Sequence, residues 1–181
     1  ADFFDLSVVI GGSISNLYLI RHGQASFGKK NYDNLSEKGI KQSISLGKKI
    51  KKRGLVFDNI AIGPLQRHIQ TFDGINKGYG QTLGKPLIIN EFAENQLMEI
   101  AQYFIPKMLN TSKNIKELLD EVPFWRRKKT FLEYFNIIAQ KWIKDELDLS
   151  EKNFESYESF RNRVKIAKNK VSSLMNEKTN T

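Results

Sequence analysis

At 181 residues and 40% hydrophobic content, with twelve phenylalanines, the chain is one domain, or one domain with a small insertion, and it can bury a core. The absence of cysteine excludes disulfides, thiolate catalysis and cysteine-bound zinc, and two histidines argue against a histidine-rich metal site. A net charge of +9 predicts attraction to anions: nucleic acid, phosphorylated metabolites or anionic lipid.

Residues 1–15 read as an N-terminal extension to which the residues assign no role. Ala1 to Gly12 lack the basic segment of a signal peptide, and the absence of an initiator methionine points to a processed, tagged or truncated start. Leu6-Ser7-Val8-Val9-Ile10 is an apolar, strand-like run ending in two glycines. A second strand over 16–20 delivers Arg21-His22-Gly23. The link between the two runs is too short for a parallel crossover, which needs about a dozen residues. They therefore pair as a hairpin, or the first pairs with a neighbouring molecule.

A polar loop from Gln24 to Asn34 leads to a helix over about Ser36–Lys52. Ser36 is its N-cap, Ile40, Ile44, Leu46 and Ile50 approximate one face, and Gly54 stands where a terminating glycine is expected. Asp58–Ile62 reads as a second strand, Pro64 opens another helix, and Lys85–Asn90 is a third strand. From about 99 to 143 the pattern is helical, interrupted by Pro106 and Pro123, with an amphipathic stretch of Phe131, Leu132, Phe135, Ile138 and Trp142. A last helix, about Phe154–Met175, carries Phe160, Val164, Ala167, Val171 and Leu174. Strands alternating with helices predict an α/β protein with a mainly parallel central sheet. No segment approaches the roughly 20 apolar residues needed to span a bilayer, so the reading is a soluble, cytoplasmic protein with no membrane partner.

Two segments carry chemistry. Arginine beside histidine at a strand end places a fixed cation next to a nucleophile or base, and Gly23 allows close approach of a ligand. A single histidine so placed is commonly a surface or packing residue, and the second segment is what changes its weight. Gly63-Pro64-Leu65-Gln66-Arg67-His68-Ile69-Gln70-Thr71 puts an arginine in the first turn of a helix, where free N–H groups and the macrodipole favour anions. His68 lies about 100° around that helix from Arg67 and reads as a helix-face or packing residue.

Together the segments resemble the histidine phosphatase superfamily, the phosphoglycerate-mutase-like enzymes. The resemblance runs through Leu19-Ile20-Arg21-His22-Gly23, Leu35-Ser36-Glu37-Lys38-Gly39 and Pro64-Leu65-x-Arg67-x-x-Gln70-Thr71. Ile89-Asn90-Glu91-Phe92 looks like the segment with the family's acidic residue, and Glu155-Ser156, Phe160 and Arg163-Val164 look like a late helix. The resemblance implies a three-layer α/β/α domain over 16–181, with a helical cap at about 99–143. It implies that His22 attacks phosphorus to give a phosphohistidine, that Arg21 and Arg67 clamp the phosphoryl oxygens, and that Glu91 is general acid and then base, with Glu94 as fallback. Gly23, Gln24 and Ser26 are the expected substrate contacts, and Phe124, Trp125 and the run Arg126–Lys129 are expected to set specificity. No metal or organic cofactor is needed.

The sequence departs from the family in two places. Gly63 stands where serine or a similar small polar residue is usual. No second histidine-glycine pair follows the last helix, which leaves three explanations: a truncated chain, a divergent member, or a replacement strand from Leu6–Gly12. The reading is a cofactor-independent phosphatase acting on a phosphorylated small molecule or phosphoprotein, less readily a mutase. The alternative is a catalytically impaired phosphate-binding regulatory or interaction protein. The absence of basic tails and aromatic nucleic-acid motifs argues against nucleic acid as partner, and a homodimer is compatible with the reading.

Overall fold

In a computed structural model of the chain, the structure describes residues 3–10, 13–26 and 33–176. Gly11, Gly12, the loop residues from Phe27 to Tyr32 and the tail from Glu177, all of which figure in the sequence reading, lie outside them. The chain divides into two units, residues 1–93 with 164–181, and residues 94–163.

The first unit opens with the strands β1 (Phe3–Ile10) and β2 (Ser13–Ile20), which pair antiparallel from Phe3 opposite Ile20 to Ile10 opposite Ser13. This is the hairpin alternative, and it sets the direction in which β2 feeds Arg21-His22-Gly23. Helix α1 (Glu37–Lys52) starts where the Ser36 hydroxyl accepts the Gly39 N–H at 3.1 Å. It closes with Gly54 N–H on the Lys51 carbonyl and Leu55 N–H on that of Ile50. This is a Schellman ending, and it requires the positive φ of +63° that Gly54 adopts. Lys49, Lys51 and Lys52 lie in the last turn, where cations suit the negative helix end.

Strands β3 (Ala61–Ile62) and β4 (Leu87–Ile88) pair in parallel, Ala61 opposite Leu87. Between them runs helix α2 (Gln66–Tyr79), whose N-cap is Leu65 and whose end is Gly80 at φ +87°. The fold is thus mixed and rich in helix, with a small parallel pair. The parallel strands are shorter than the expected 58–62 and 85–90, and among the described residues β2 pairs with β1.

Helices α1 and α2 meet backbone to backbone. A Cβ on Gly47 would lie 2.1 Å from the Ile75 carbonyl oxygen, and one on Gly78 would lie 2.0 Å from that of Ile44. Small residues let the axes approach, and Leu46, Ile50 and Ile75 form a core beside the contact with Ile20, Leu55, Phe57 and Tyr79.

The second unit is helical: α3 (Leu97–Met108), α4 (Ile115–Asp120) and α5 (Phe124–Ile143), followed by the start of α6 (Tyr157–Asn176). Its core is Ile100, Ala101, Ile105, Ile138 and Trp142, and the Trp142 indole donates to the Glu155 carbonyl at 2.8 Å. Ile138 and Trp142 of the expected amphipathic stretch are buried, while Leu132 is exposed. Pro106 does not interrupt the helix as expected. It lies inside the last turn of α3, where the lost N–H affects one hydrogen bond before the helix ends at Met108. No helix among the described residues is long and apolar enough to cross a membrane.

Candidate active site

His22 follows β2 directly. Its Nδ1 lies 2.7 Å from the carbonyl oxygen of Gly23, so Nδ1 carries the proton and Nε2 keeps its lone pair in the neutral ring. Gly23 packs against the first turn of α1: a Cβ there would stand 2.5 Å from the Gly39 carbonyl oxygen. Its N–H donates to the Thr71 hydroxyl of α2 at 3.0 Å. The Gln24 N–H donates to Gln42 Oε1 at 3.0 Å, and the Gln24 carbonyl accepts from Ser36 N–H and Oγ. The Ser26 N–H donates to the Asn34 carbonyl at 2.8 Å. The backbone amides of these three expected substrate contacts are therefore committed within the protein, and what they do here is fix the loop.

Arg67 is buried, and its Nη1 lies 2.7 Å from Asp33 Oδ1. Asp33 Oδ2 accepts the Gln66 N–H at 2.8 Å, so one carboxylate meets both the guanidinium and the start of α2. At this helix start, read from the sequence as favouring anions, the Asp33 carboxylate is the anion present. Gln70 fastens the same loop, accepting from Leu35 N–H at 2.7 Å and donating to Asn34 Oδ1 at 2.8 Å. Arg21 is exposed at the strand end.

His68 sits half-buried as a packing residue, and it lies beside the other histidine. Its ring centroid is 5.9 Å from that of His22, with the planes tilted by 46°. Burial first, then the charges of Arg67 and His22, hold its pKa below the ordinary 6.5, with Asp33 and the Gly63 backbone opposing. The signal for this placement was Gly63, since a missing side chain at the end of β3 opens the space that the His68 ring enters.

Glu91 sits in a 3₁₀ turn (Asn90–Phe92) after β4, and its Oε1 accepts from Lys170 Nζ of α6 at 2.6 Å. Glu94 opens the second unit, where its carbonyl lies 3.5 Å from Arg163 Nη2. Arg163 also grips Glu155 through two contacts of 2.7 Å. Asp33, Gln42 and Lys170 carried no spacing signal, because each meets its partner, Arg67, Gln24 or Glu91, from a distant part of the chain.

Residues 17–103 match the model of the histidine phosphatase superfamily (branch 1). The 2,3-bisphosphoglycerate-dependent phosphoglycerate mutase of Rhodopseudomonas palustris is 39% identical over 84 residues, covering 41% of this chain and 41% of that protein. The protein of the same name from Bartonella tribocorum is 39% identical over 72 residues, 36% of this chain and 35% of its own. That of Lactobacillus acidophilus is 34% identical over 121 residues, 63% of this chain and 50% of its own. The chain thus spans 35 to 50% of the length of these curated relatives. No solved structure matches it significantly. The matched stretch holds Arg21, His22, Asp33, Arg67, His68, Thr71 and Glu91, and it is over these residues that the chain is similar to the histidine phosphatase superfamily.

Proposed function

We propose that the chain is a cofactor-independent phosphatase working through a phosphohistidine on His22. The carrying observation is the 2.7 Å contact between His22 Nδ1 and the Gly23 carbonyl, which orients the ring and leaves Nε2 as the nucleophile. The Nε2 lone pair forms the bond to phosphorus as the bond to the leaving oxygen breaks, and Glu91 gives that oxygen a proton. Water then attacks phosphorus, Glu91 takes its proton, and His22 is released with inorganic phosphate. Arg67, buried at the start of α2, and the exposed Arg21 stabilise the charge on the transferring group. Arg67 exchanges Asp33 for a phosphoryl oxygen when substrate arrives. The substrate is a phosphorylated small molecule or a phosphoprotein. The three-layer α/β/α architecture belongs to the same proposal, supported by the parallel pair of β3 and β4.

A mutase is the second reading, favoured by the names of the matched relatives. The test pairs two assays near neutral pH: hydrolysis of para-nitrophenyl phosphate, and interconversion of 2- and 3-phosphoglycerate with 2,3-bisphosphoglycerate present. Hydrolysis that disappears in His22→Ala supports the phosphatase. Interconversion outrunning hydrolysis supports the mutase, and binding of phosphate without turnover supports an impaired binding protein.

A further inference from the structure

The two histidines of the chain arrive from separate elements, His22 from the end of β2 and His68 from the first turn of α2, yet their ring centroids lie 5.9 Å apart. His68 is half-buried, and its Nδ1 is buried without a hydrogen-bond partner. The ring occupies the space of an absent side chain: a Cβ on Gly63 would lie 2.2 Å from His68 Nδ1 and 2.6 Å from Cε1. Burying a polar ring edge unpartnered costs on the order of 1–3 kcal/mol, which a histidine on an outer helix face avoids. Folding accepts that cost here, beside the proposed nucleophile. With Nδ1 enclosed against Gly63, Nε2 is the ring nitrogen left to meet a ligand.

We propose that His68 is a further catalytic residue of the site, its Nε2–H donating a hydrogen bond to a non-bridging oxygen of the phosphoryl group bound beside, or carried by, His22. This rests on the reading of His22 as the nucleophile. With the ring centroids 5.9 Å apart, a phosphoryl group on His22 stands beside the His68 ring, and an N–H···O bond of about 2.9 Å is the contact proposed between them. His68 forms no bond to phosphorus and transfers no proton. It donates throughout from Nε2, as the neutral tautomer with its lone pair on the enclosed Nδ1, and the Gly63 backbone, which favours a proton on the ring, opposes that form. The lowered pKa suits that form: burial, Arg67 and His22 all disfavour the imidazolium. Gly63 and His68 are then one device, a vacancy at a strand end and the ring that fills it.

Calorimetric titration with inorganic phosphate tests this, using the whole chain and the variants His22→Ala, His68→Ala, His68→Gln, Gly63→Ser and Gly63→Ser/His68→Ala. Thermal melts verify that each variant folds. His68→Ala is expected to raise the phosphate Kd about tenfold, while His68→Gln, whose amide nitrogen can stand near the position of Nε2, stays within about threefold of the parent. Gly63→Ser expels the ring and weakens binding as His68→Ala does, and the double variant is no weaker than His68→Ala alone. A Kd unmoved by His68→Ala but raised by His22→Ala overturns the inference and leaves the His22 reading standing. Equal weakening by His68→Ala and His68→Gln also overturns it, since a packing role alone would produce that result. A parent chain that binds no phosphate, or binds it regardless of His22→Ala, removes the site itself and both claims with it.

Discussion

The backbone N–H of Gly23 donates to the Thr71 hydroxyl at 3.0 Å, and that hydroxyl donates to the Arg67 carbonyl at 2.6 Å. One buried side chain thus fastens the residue after His22 to the helix turn that carries Arg67. The nucleophile and cation of the proposed function come from segments far apart in sequence, and phosphoryl transfer would depend on their mutual placement.

Thr71→Val keeps the shape and removes both hydrogen bonds, leaving a buried N–H without an acceptor. The expected loss of stability is about 1–3 kcal/mol, read from the denaturant midpoint, together with a fall in turnover. Unchanged stability and turnover would show that Gly23 is held by its packing on Gly39 alone.

Gly47→Ala sets helix propensity against packing. Alanine favours a helix by about 1 kcal/mol over glycine, yet its Cβ would stand 2.1 Å from the Ile75 carbonyl oxygen, which is backbone and cannot rotate away. Overpacking of this kind costs about 1–3 kcal/mol or more, so the variant is expected to be less stable than its parent in chemical denaturation. A more stable variant would mean that α1 and α2 separate without penalty.

Arg67→Lys retains a positive charge but not the planar fork that meets Asp33 and, by the proposed function, phosphoryl oxygens. Turnover of para-nitrophenyl phosphate is expected to fall on the order of 10²-fold. Activity within about twofold of the parent would remove Arg67 from the transition state.

The lowered pKa of His68 fixes the sign of a pH effect. Between that folded-state value and the ordinary 6.5, the unfolded chain binds the proton and the folded chain does not, so stability rises with pH there. It is fully present above 6.5, is lost as pH falls through that window, and levels off below the folded value. His68→Gln does not titrate. The thermal midpoint of the parent should therefore drop more steeply than the variant's on acidification from neutral pH. Parallel curves would show that Asp33 and the Gly63 backbone cancel the effects of burial, Arg67 and His22.

What was legible in the sequence follows from how locally each feature is encoded. The start of α1 is written in Ser36 and its end in Gly54, because capping and left-handed backbone are decided within a few residues. The Arg-His-Gly strand end and Arg67 were legible for the same reason. Asp33 was not, since the pairing of its carboxylate with Arg67 crosses 34 positions of sequence and no periodicity marks it. His68 was read as a helix-face or packing residue, and its approach to His22 was not legible because its angle was judged only against Arg67 on the same helix. What matters is the vacancy at Gly63, which only the approach of β3 to α2 creates. Pro106 was overweighted as a break, since one turn from a helix end proline removes little.

In the proposed function, His22 is the group that takes the phosphoryl. The most direct measurement mixes the chain with para-nitrophenyl phosphate, quenches it into base within a turnover, and maps the added phosphoryl mass by peptide mass spectrometry. The mass is expected on His22 and is expected to be missing from His22→Ala. A phosphoryl group on His68 with His22 unmodified, or turnover with neither histidine ever modified, would contradict it.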